Sequence, residues 1–250
     1  MYIDLNCDLG ESYGLFQVGS DEEILRLISS ANIACGLHAG DFSVMAHTVD
    51  LALARDVAIG AHPGLPDLQG FGRRWIPYTA QEIYELVLYQ IGALSAFVTA
   101  REARLNHVKP HGALYNKAAV DREVAKAVVR AVRDFSPELK LFGLSGSVLL
   151  EEAQAAGLRT VSEVFADRQY LADGTLVPRT HPQATLHSSA EIATRLERML
   201  QKGSVLSLDG HEVPLKAETV CLHGDNPSAV THAQELRKSL NEHGILVCSP

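Results

Sequence analysis

Short apolar segments that end in ionisable residues recur six times along this chain, and helical patterns separate them. Residues 2–6 run into Asp8, for example, and residues 57–60 run into His62. Apolar runs of this length between helical stretches are typical of parallel strands in βα units. Because parallel α/β folds form their pockets at the carboxyl ends of the strands, we expect the ionisable residues to converge there. The pattern therefore predicts an enzyme.

The spacing of these segments predicts an α/β fold of the (β/α) barrel type. With 250 residues, the chain has the length that one such barrel typically needs. We expect a single domain over residues 1–250, with seven strand–helix units whose strands lie at about residues 2–6, 32–36, 57–61, 105–109, 140–144, 160–165 and 218–222. An open doubly wound sheet is the alternative, because the number of strands alone does not show that the sheet closes.

Smaller signals add detail to this fold. Residues 205–208 and 212–215 flank Asp209-Gly210, which predicts a small hairpin insertion with a type I′ turn. Residues 245–247 are expected to add an edge strand or to close the sheet. Ser20 and Thr79 are each followed three residues later by glutamate, which predicts two helix capping boxes.

Composition narrows the class of protein. A net charge of −8 argues against a nucleic-acid or anionic-membrane partner, since either would favour a basic surface. The sequence has no apolar run of about 18 residues and no signal-peptide pattern at its start. Its four cysteines are scattered without a CxxC pair, which indicates buried free thiols in a reducing compartment. We therefore expect a cytoplasmic protein with a small-molecule substrate, and the oligomeric state stays open.

The first motif runs from Asp4 to Glu11. Asn6 and Asp8 alternate onto one face of the first predicted strand, and Glu11 follows in the turn. Carboxylates that share a pocket can divide the acid and base roles, because proximity and burial push their pKa values apart. We therefore take Asp8 as a catalytic candidate, with Asn6 and Glu11 as substrate-binding candidates. The alternative is that Asp8 caps a turn and Glu11 is solvated.

Two histidines follow the second and third predicted strands. His38 stands between Gly36 and Gly40, and glycine lets the backbone approach a ligand closely. His38 and Asp41 would be either a base and its orienting group or two metal ligands. Asp41 could equally stabilise the start of a helix through the helix dipole. His62 ends the next strand, so we take His38 and His62 as catalytic candidates and Asp41 as a substrate-binding candidate.

Cationic candidates follow the third and fourth strands. Arg73 and Arg74 lie in a glycine-rich loop, where they would clamp a carboxylate or phosphate, unless they are a surface pair. Lys109 ends the fourth strand and is a natural stabiliser of an anion or oxyanion. His111, two residues later, is a second candidate acid or base. We group these residues as substrate-binding candidates.

The last two strands end in further ionisable residues. Glu163 lies within the sixth strand, and Arg168 follows it beside Asp167, with which it could form a structural ion pair. His223 and Asp225 follow the seventh strand and repeat the strand-His-Gly-Asp theme seen near His38. Glu163, Arg168 and His223 are taken as substrate-binding candidates, and Asp225 as a catalytic candidate.

Three common motifs are missing from the sequence. It has no GxxxxGK[ST] phosphate loop and no GxGxxG fingerprint, so it lacks the usual signals of nucleotide binding. It also lacks the GxSxG nucleophile elbow. Catalysis by a bound water molecule, activated by histidine and aspartate or by a metal ion, fits the remaining residues better than a serine acyl-enzyme.

Long segments, in order along almost the whole chain, resemble the LamB/YcsF family. They are DLNCDLGE (residues 4–11), NIACGLHAGD (32–41), GAHPG (60–64), GFGRR (70–74), VKPHGALYN (108–116), FADRQY (165–170) and HGD (223–225). Motifs of this length and order make the resemblance specific.

The resemblance implies a seven-stranded barrel of the glycoside hydrolase/deacetylase type. It implies hydrolysis of the lactam of 5-oxo-L-proline to L-glutamate, with ATP as cosubstrate together with Mg²⁺, and with ADP and phosphate as products. It also implies 5-oxoprolinase subunits B and C as partners. Related deacetylases bind a metal through aspartate and paired histidines. This chain has no close HxxxH pair, so its metal content stays open.

These implications lead to a working mechanism. Phosphorylation of the lactam oxygen would supply a leaving group, and the missing phosphate loop predicts that the partners perform much of this activation. His38 or His62 would then activate water, supported by Asp8 or Asp225. Lys109 and an arginine would hold the substrate carboxylate or the developing oxyanion. The rivals are a metal-dependent deacetylase or amidohydrolase that acts alone, and a non-catalytic scaffold subunit.

Overall fold

A computed structural model describes residues 2–223 and 229–250 of the chain. The strands are β1 (Tyr2–Leu9), β2 (Ser30–Ala34), β3 (Ala58–His62), β4 (His107–Val108), β5 (Lys140–Leu144), β6 (Arg159–Phe165), β7 (Ser204–Leu206), β8 (Glu212–Pro214), β9 (Thr219–His223) and β10 (Leu246–Val247). Strands β1 to β6 and β9 are parallel neighbours, and β1 pairs with both β2 and β9. The sheet therefore closes into a seven-stranded barrel, which confirms the predicted fold and makes the open sheet wrong.

Helices follow most of the barrel strands. They are α1 (Asp21–Ile24), α2 (Phe42–Leu53), α3 (Ala80–Thr99), α4 (Gly112–Ala118), α5 (Arg122–Phe135), α6 (Val148–Ala155), α7 (Ser189–Lys202) and α8 (Ala229–Glu242). The capping box at Thr79 is confirmed, because its side chain and that of Glu82 satisfy each other's backbone N–H groups. The box predicted at Ser20 is wrong, since this side chain makes no capping bond. Asp21 instead accepts a hydrogen bond from the N–H of Gly10 and ties α1 to the end of β1.

The two smaller features are also present. Strands β7 and β8 form the predicted antiparallel hairpin. Its turn is not type I′, because Gly210 has a positive φ of 85° whereas Asp209 does not. The Gly210 N–H instead bonds the Ser207 carbonyl, as in a type I turn followed by a left-handed glycine. Strand β10 pairs with the first residues of β1, just before the point where β9 takes over.

The barrel interior is polar along β1. Asp4, at the bottom, accepts hydrogen bonds from the hydroxyls of Ser30 on β2 and Thr219 on β9. Asn6, one step higher, donates to the carboxylate of Glu163 on β6. Asp8 lies above both, because side chains two residues apart on a strand share one face. The three positions therefore form a polar column that leads to the carboxyl ends of the strands.

Two further expectations concern the burial of the cysteines and the lack of a membrane-spanning segment. Cys7, Cys35 and Cys221 are buried free thiols as predicted, whereas Cys248 is exposed, which the sequence did not predict. Across residues 2–223 and 229–250, no helix is both long enough and apolar enough to cross a membrane.

Candidate active site

The carboxyl ends of the barrel strands open into a cavity of about 790 Å³. Its lining includes eight of the residues proposed from the sequence: Asp8, Glu11, His62, Arg73, Arg74, Lys109, His111 and Arg168. The segment after β6, residues 171–180, forms another part of the wall. The carboxyl ends of the strands thus bring together residues from five separate segments of the chain.

The other proposed residues occupy different positions. Asn6 and Glu163 are fully buried inside the barrel, beneath the cavity. His38 is also fully buried and lies behind the wall that faces the cavity. The side chain of His223, and Asp225 as a whole, lie outside the part of the chain that the structure describes.

Asp41 lies at the start of α2, away from the cavity lining. Its carboxylate accepts hydrogen bonds from the N–H groups of Val44 and Ser43, and from that of Gly14. The backbone donors, Val44 first, hold the pKa of Asp41 below its usual value. This position fits the helix-start alternative, and the carboxylate also anchors the loop that follows β1.

Lys109 is the centre of a buried charge network. Its Nζ lies 2.9 Å from Asp8 Oδ1 and 2.8 Å from Glu163 Oε1, and it donates to Asn6 Oδ1 at 3.0 Å. Burial alone would lower the pKa of Lys109, but Asp8 and Glu163 outweigh it and raise that pKa well above its usual value. Lys109 is therefore a fixed cation at the base of the cavity.

Asn32 and His107 support this network, although neither is among the site residues predicted from the sequence. Asn32 Nδ2 donates to Asp8 Oδ1 at 2.9 Å, and its Oδ1 accepts from His107 Nε2 at 2.8 Å. Burial beside Lys109 lowers the pKa of His107 well below its usual value, so the ring is neutral. Gly60 leaves room for this ring, which a Cβ at that position would meet. Both residues lie within predicted strands, whereas the repeated sequence pattern points to strand ends.

His62 and His111 meet at the cavity wall. His62 Nε2 lies 2.9 Å from His111 Nδ1 and 3.3 Å from Asp8 Oδ2. The other ring nitrogens bind backbone carbonyls: His62 Nδ1 lies 2.7 Å from the oxygen of Lys109, and His111 Nε2 lies 2.8 Å from that of Phe71. Both rings are therefore held in fixed orientations.

His38 packs behind this pair. Its ring stacks on His111, with 3.7 Å between centroids and 6° between planes, and its Nε2 lies 3.4 Å from Glu11 Oε1. Burial, reinforced by His111 and His62, lowers the pKa of His38 well below its usual value. Burial and His62 likewise lower the pKa of His111. Both rings are neutral at neutral pH because the folded protein disfavours their charged forms.

The loop from β3 to α3 folds over these rings. Gly64 and Gly72 lie so close to His38 that a Cβ on either would collide with it. Phe71 adopts a φ of 54°, a left-handed conformation that a bulky residue rarely takes. Its carbonyl oxygen lies 2.8 Å from His111 Nε2. The glycines of this loop therefore allow it to pack tightly on the histidines.

The arginines differ in their contacts. Arg74 pairs with the carboxylate of Asp67, whereas the guanidinium of Arg73 stacks over the Phe71 ring at 4.9 Å. Arg168 is buried and donates to the carbonyls of Val177 and Ala184, which anchors the segment that forms the cavity wall. Burial, followed by the charge of Arg179, lowers the pKa of Arg168 to about 10.

Four residues around the His62–His111 pair have the composition of a metal site. Glu11, His38, His62 and His111 each offer one ligand atom, and these atoms lie within 4.8 Å of one another. Imidazole nitrogen with carboxylate oxygen is a donor set that Zn²⁺ and similar ions accept. The composition of this cluster is therefore suited to a divalent metal ion, whose presence the sequence leaves open. Such an ion, when bound, polarises a carbonyl oxygen or a water molecule.

Comparison with known sequences gives matches along the whole chain. Residues 3–250 match the model of the LamB/YcsF family. The chain is 54% identical over 245 residues to the A subunit of 5-oxoprolinase from Bacillus subtilis (strain 168), with 98% of this chain and 95% of that protein covered. It is 53% identical over 248 residues to the A subunit of 5-oxoprolinase from Geobacillus kaustophilus (strain HTA426), with 99% and 96% covered.

Solved structures agree with the fold. A lactam utilization protein from Thermus thermophilus superimposes with a TM-score of 0.94 at 50% identity, and 100% of both chains is covered. A GH26 β-mannanase from Bacteroides ovatus superimposes with a TM-score of 0.51 at 13% identity, covering 98% of this chain and 90% of that chain. At so low an identity, the second match shows a shared barrel fold alone.

Proposed function

The chain belongs to the LamB/YcsF family, and on that premise we propose that it is the A subunit of an ATP-dependent 5-oxoprolinase. The enzyme would open the lactam of 5-oxo-L-proline to L-glutamate and convert ATP to ADP and phosphate. The observation that carries the proposal is the cavity at the strand ends, where carboxylates, a buried lysine and two imidazoles meet. These are the groups that amide hydrolysis needs to activate water and to stabilise developing charge.

The chemistry explains the need for ATP. A five-membered lactam is a stable amide, and transfer of a phosphoryl group to its oxygen turns that oxygen into a leaving group. Water then adds to the carbonyl carbon, the C–N bond breaks, and the nitrogen takes a proton. A second water hydrolyses the resulting acyl phosphate to a carboxylate and phosphate, which completes the balance.

Asp8 and His62 form the pair that we assign to water activation. Asp8 Oδ2 and His62 Nε2 are 3.3 Å apart, and both residues line the cavity. Lys109 holds the other carboxylate oxygen of Asp8, so the carboxylate is oriented and its ionised form is stabilised. His38 lies behind the wall, so we assign it the role of a positioning residue.

A cationic part of the cavity lining suits the negative groups of the substrate. The cavity lining includes Arg73, Arg168 and Arg179. Besides burial, the charges of Arg179 and Arg73 lower the pKa of Arg168. Guanidinium groups on one wall can donate charge-assisted hydrogen bonds to a bound anion. The carboxylate of 5-oxoproline, or the phosphate of its activated form, supplies such an anion.

Arg73→Ala is expected to raise KM for 5-oxoproline in the assembled enzyme by about 10- to 100-fold, the effect of losing one charge-assisted hydrogen bond. The value of kcat should change less, because the carboxylate is bound alike before and during the reaction. Steady-state kinetics of glutamate formation test this. Arg130→Ala serves as a control, since Arg130 lies on the exposed face of α5 and packs over Tyr84. An unchanged KM in Arg73→Ala would contradict the assignment.

We assign the ATP-dependent step, with its Mg²⁺, largely to subunits B and C as partners. The absence of a phosphate loop from this sequence supports that division, and so do relatives that are named as one subunit of an enzyme. The purified chain alone should form no glutamate from 5-oxoproline and ATP, whereas addition of both partners should restore turnover. Turnover by the chain alone at the rate of the full complex would overturn the division of labour.

A further inference from the structure

The facing nitrogens of His62 and His111 require a positive species between them. His62 Nδ1 and His111 Nε2 each lie within hydrogen-bond distance of a backbone carbonyl. A carbonyl oxygen only accepts hydrogen bonds, so these two nitrogens carry the hydrogens of their rings. In neutral rings, His62 Nε2 and His111 Nδ1 are then bare lone pairs, and they face each other at 2.9 Å. Two lone pairs at that distance repel unless a proton or a metal ion joins them.

We propose that a divalent transition-metal ion such as Zn²⁺ binds between these two nitrogens, with Glu11 as a carboxylate ligand. Glu11 Oε1 lies 3.7 Å from His111 Nδ1, and the possible ligand atoms of Glu11, His62 and His111 all lie within 4.8 Å of one another. Bonds of about 2.0–2.1 Å in tetrahedral geometry place two ligand nitrogens roughly 3.3 Å apart, so a small rotation of either ring admits the ion. The cavity beside the cluster leaves a fourth position for an exchangeable oxygen ligand.

His38 does not share this ion, although it belongs to the same cluster. An imidazole binds a metal in the plane of its ring, and the planes of His38 and His111 are nearly parallel and stacked. One ion therefore cannot lie in both planes. His38 Nε2 instead lies 3.4 Å from Glu11 Oε1, where its N–H orients the carboxylate.

The contacts of the His62 and His111 rings favour a metal ion, rather than a shared proton, between their facing nitrogens. Metal-bound histidines characteristically donate their second N–H to a carbonyl or carboxylate, as both rings do here. The Phe71 carbonyl reaches His111 from a strained backbone conformation, which is typical of a functional constraint. Asp8 Oδ2 lies 3.3 Å from the same nitrogen, His62 Nε2, and adds negative charge beside the site. The metal site goes beyond the proposed reaction. With the metal on His62 Nε2, Asp8 is the member of the Asp8–His62 pair that accepts the proton.

Metal titration of the full chain tests the proposal without an activity assay. After treatment with a chelator and dialysis, the wild-type chain should bind one equivalent of Zn²⁺ in calorimetry. One equivalent of Co²⁺ should give the visible absorption of a tetrahedral site. His62→Gln and His111→Gln should each weaken Zn²⁺ binding by more than about 100-fold, whereas His38→Gln should weaken it by about 10-fold. His211→Gln is the control, because this exposed histidine lies on the hairpin and should leave the affinity unchanged.

Clear outcomes would overturn the proposal. One is a wild-type chain that takes up neither Zn²⁺ nor Co²⁺, with a proton shared between His62 and His111 in ¹⁵N NMR spectra. Another is stoichiometric binding that survives His111→Gln, which would place the ion elsewhere. If a histidine variant does not fold, X-ray absorption of the Zn²⁺-loaded wild type decides: two imidazole ligands support the site, and none contradicts it.

Discussion

Asp8→Asn should lower kcat for glutamate formation by the assembled enzyme by about 10²- to 10⁴-fold, the range associated with loss of a general base. Asparagine keeps the shape of the side chain, and its carbonyl can still accept a hydrogen bond from Lys109. It lacks the charge and the basic oxygen that face His62 at 3.3 Å. Steady-state assays with both partner subunits measure the effect.

The control for this variant is Asp50→Asn. Asp50 lies on α2 and pairs with Arg101 at the surface, so its loss should leave turnover unchanged. Circular dichroism establishes that both variants fold. A folded Asp8→Asn chain that supports turnover near the wild-type rate would show that Asp8 does not take part in water activation.

Lys109→Met should combine a loss of activity with a loss of stability. It leaves the carboxylates of Asp8 and Glu163 buried without their cation, and breaking a buried ion pair costs about 3–5 kcal/mol. Chemical denaturation should show a fall of that size in the free energy of unfolding at pH 7.

Lys126→Met is the matched control for this change. Lys126 lies on α5 and pairs with Glu123 at the surface, and such pairs contribute little to stability. If Lys109→Met proved as stable as the wild type at pH 7, the buried network would not be the charged unit described above.

The sequence predicts the lining of the cavity well where ionisable residues and strand ends coincide. Asp8, His62 and Lys109 each end or follow a barrel strand, and all three line the cavity. Parallel strands force this result, because their carboxyl ends meet at one rim whatever the loop lengths. Closure of the sheet could not be read from the number of strands, since it depends on pairing between β1 and β9 at opposite ends of the chain.

The residues that the sequence analysis missed or placed differently depend on tertiary contacts. Asn32 lies in register with Asp8, but only knowledge of the strand pairing makes it a neighbour. Arg179 reaches the cavity from an irregular segment that has no strand-end signal. Asp41 fits a helix cap as well as it fits a site, and the backbone N–H groups at the start of α2 take its carboxylate.

The most direct test of the account is a crystal structure of the assembled enzyme with 5-oxoproline and a non-hydrolysable ATP analogue. We predict that the lactam lies in the barrel cavity, with its carboxylate on the Arg73–Arg168–Arg179 wall. A water molecule between the Asp8–His62 pair and the lactam should lie about 3–3.5 Å from the carbonyl carbon. A lactam bound within the partner subunits, with the barrel cavity holding solvent only, would contradict the central claim that this chain opens the ring.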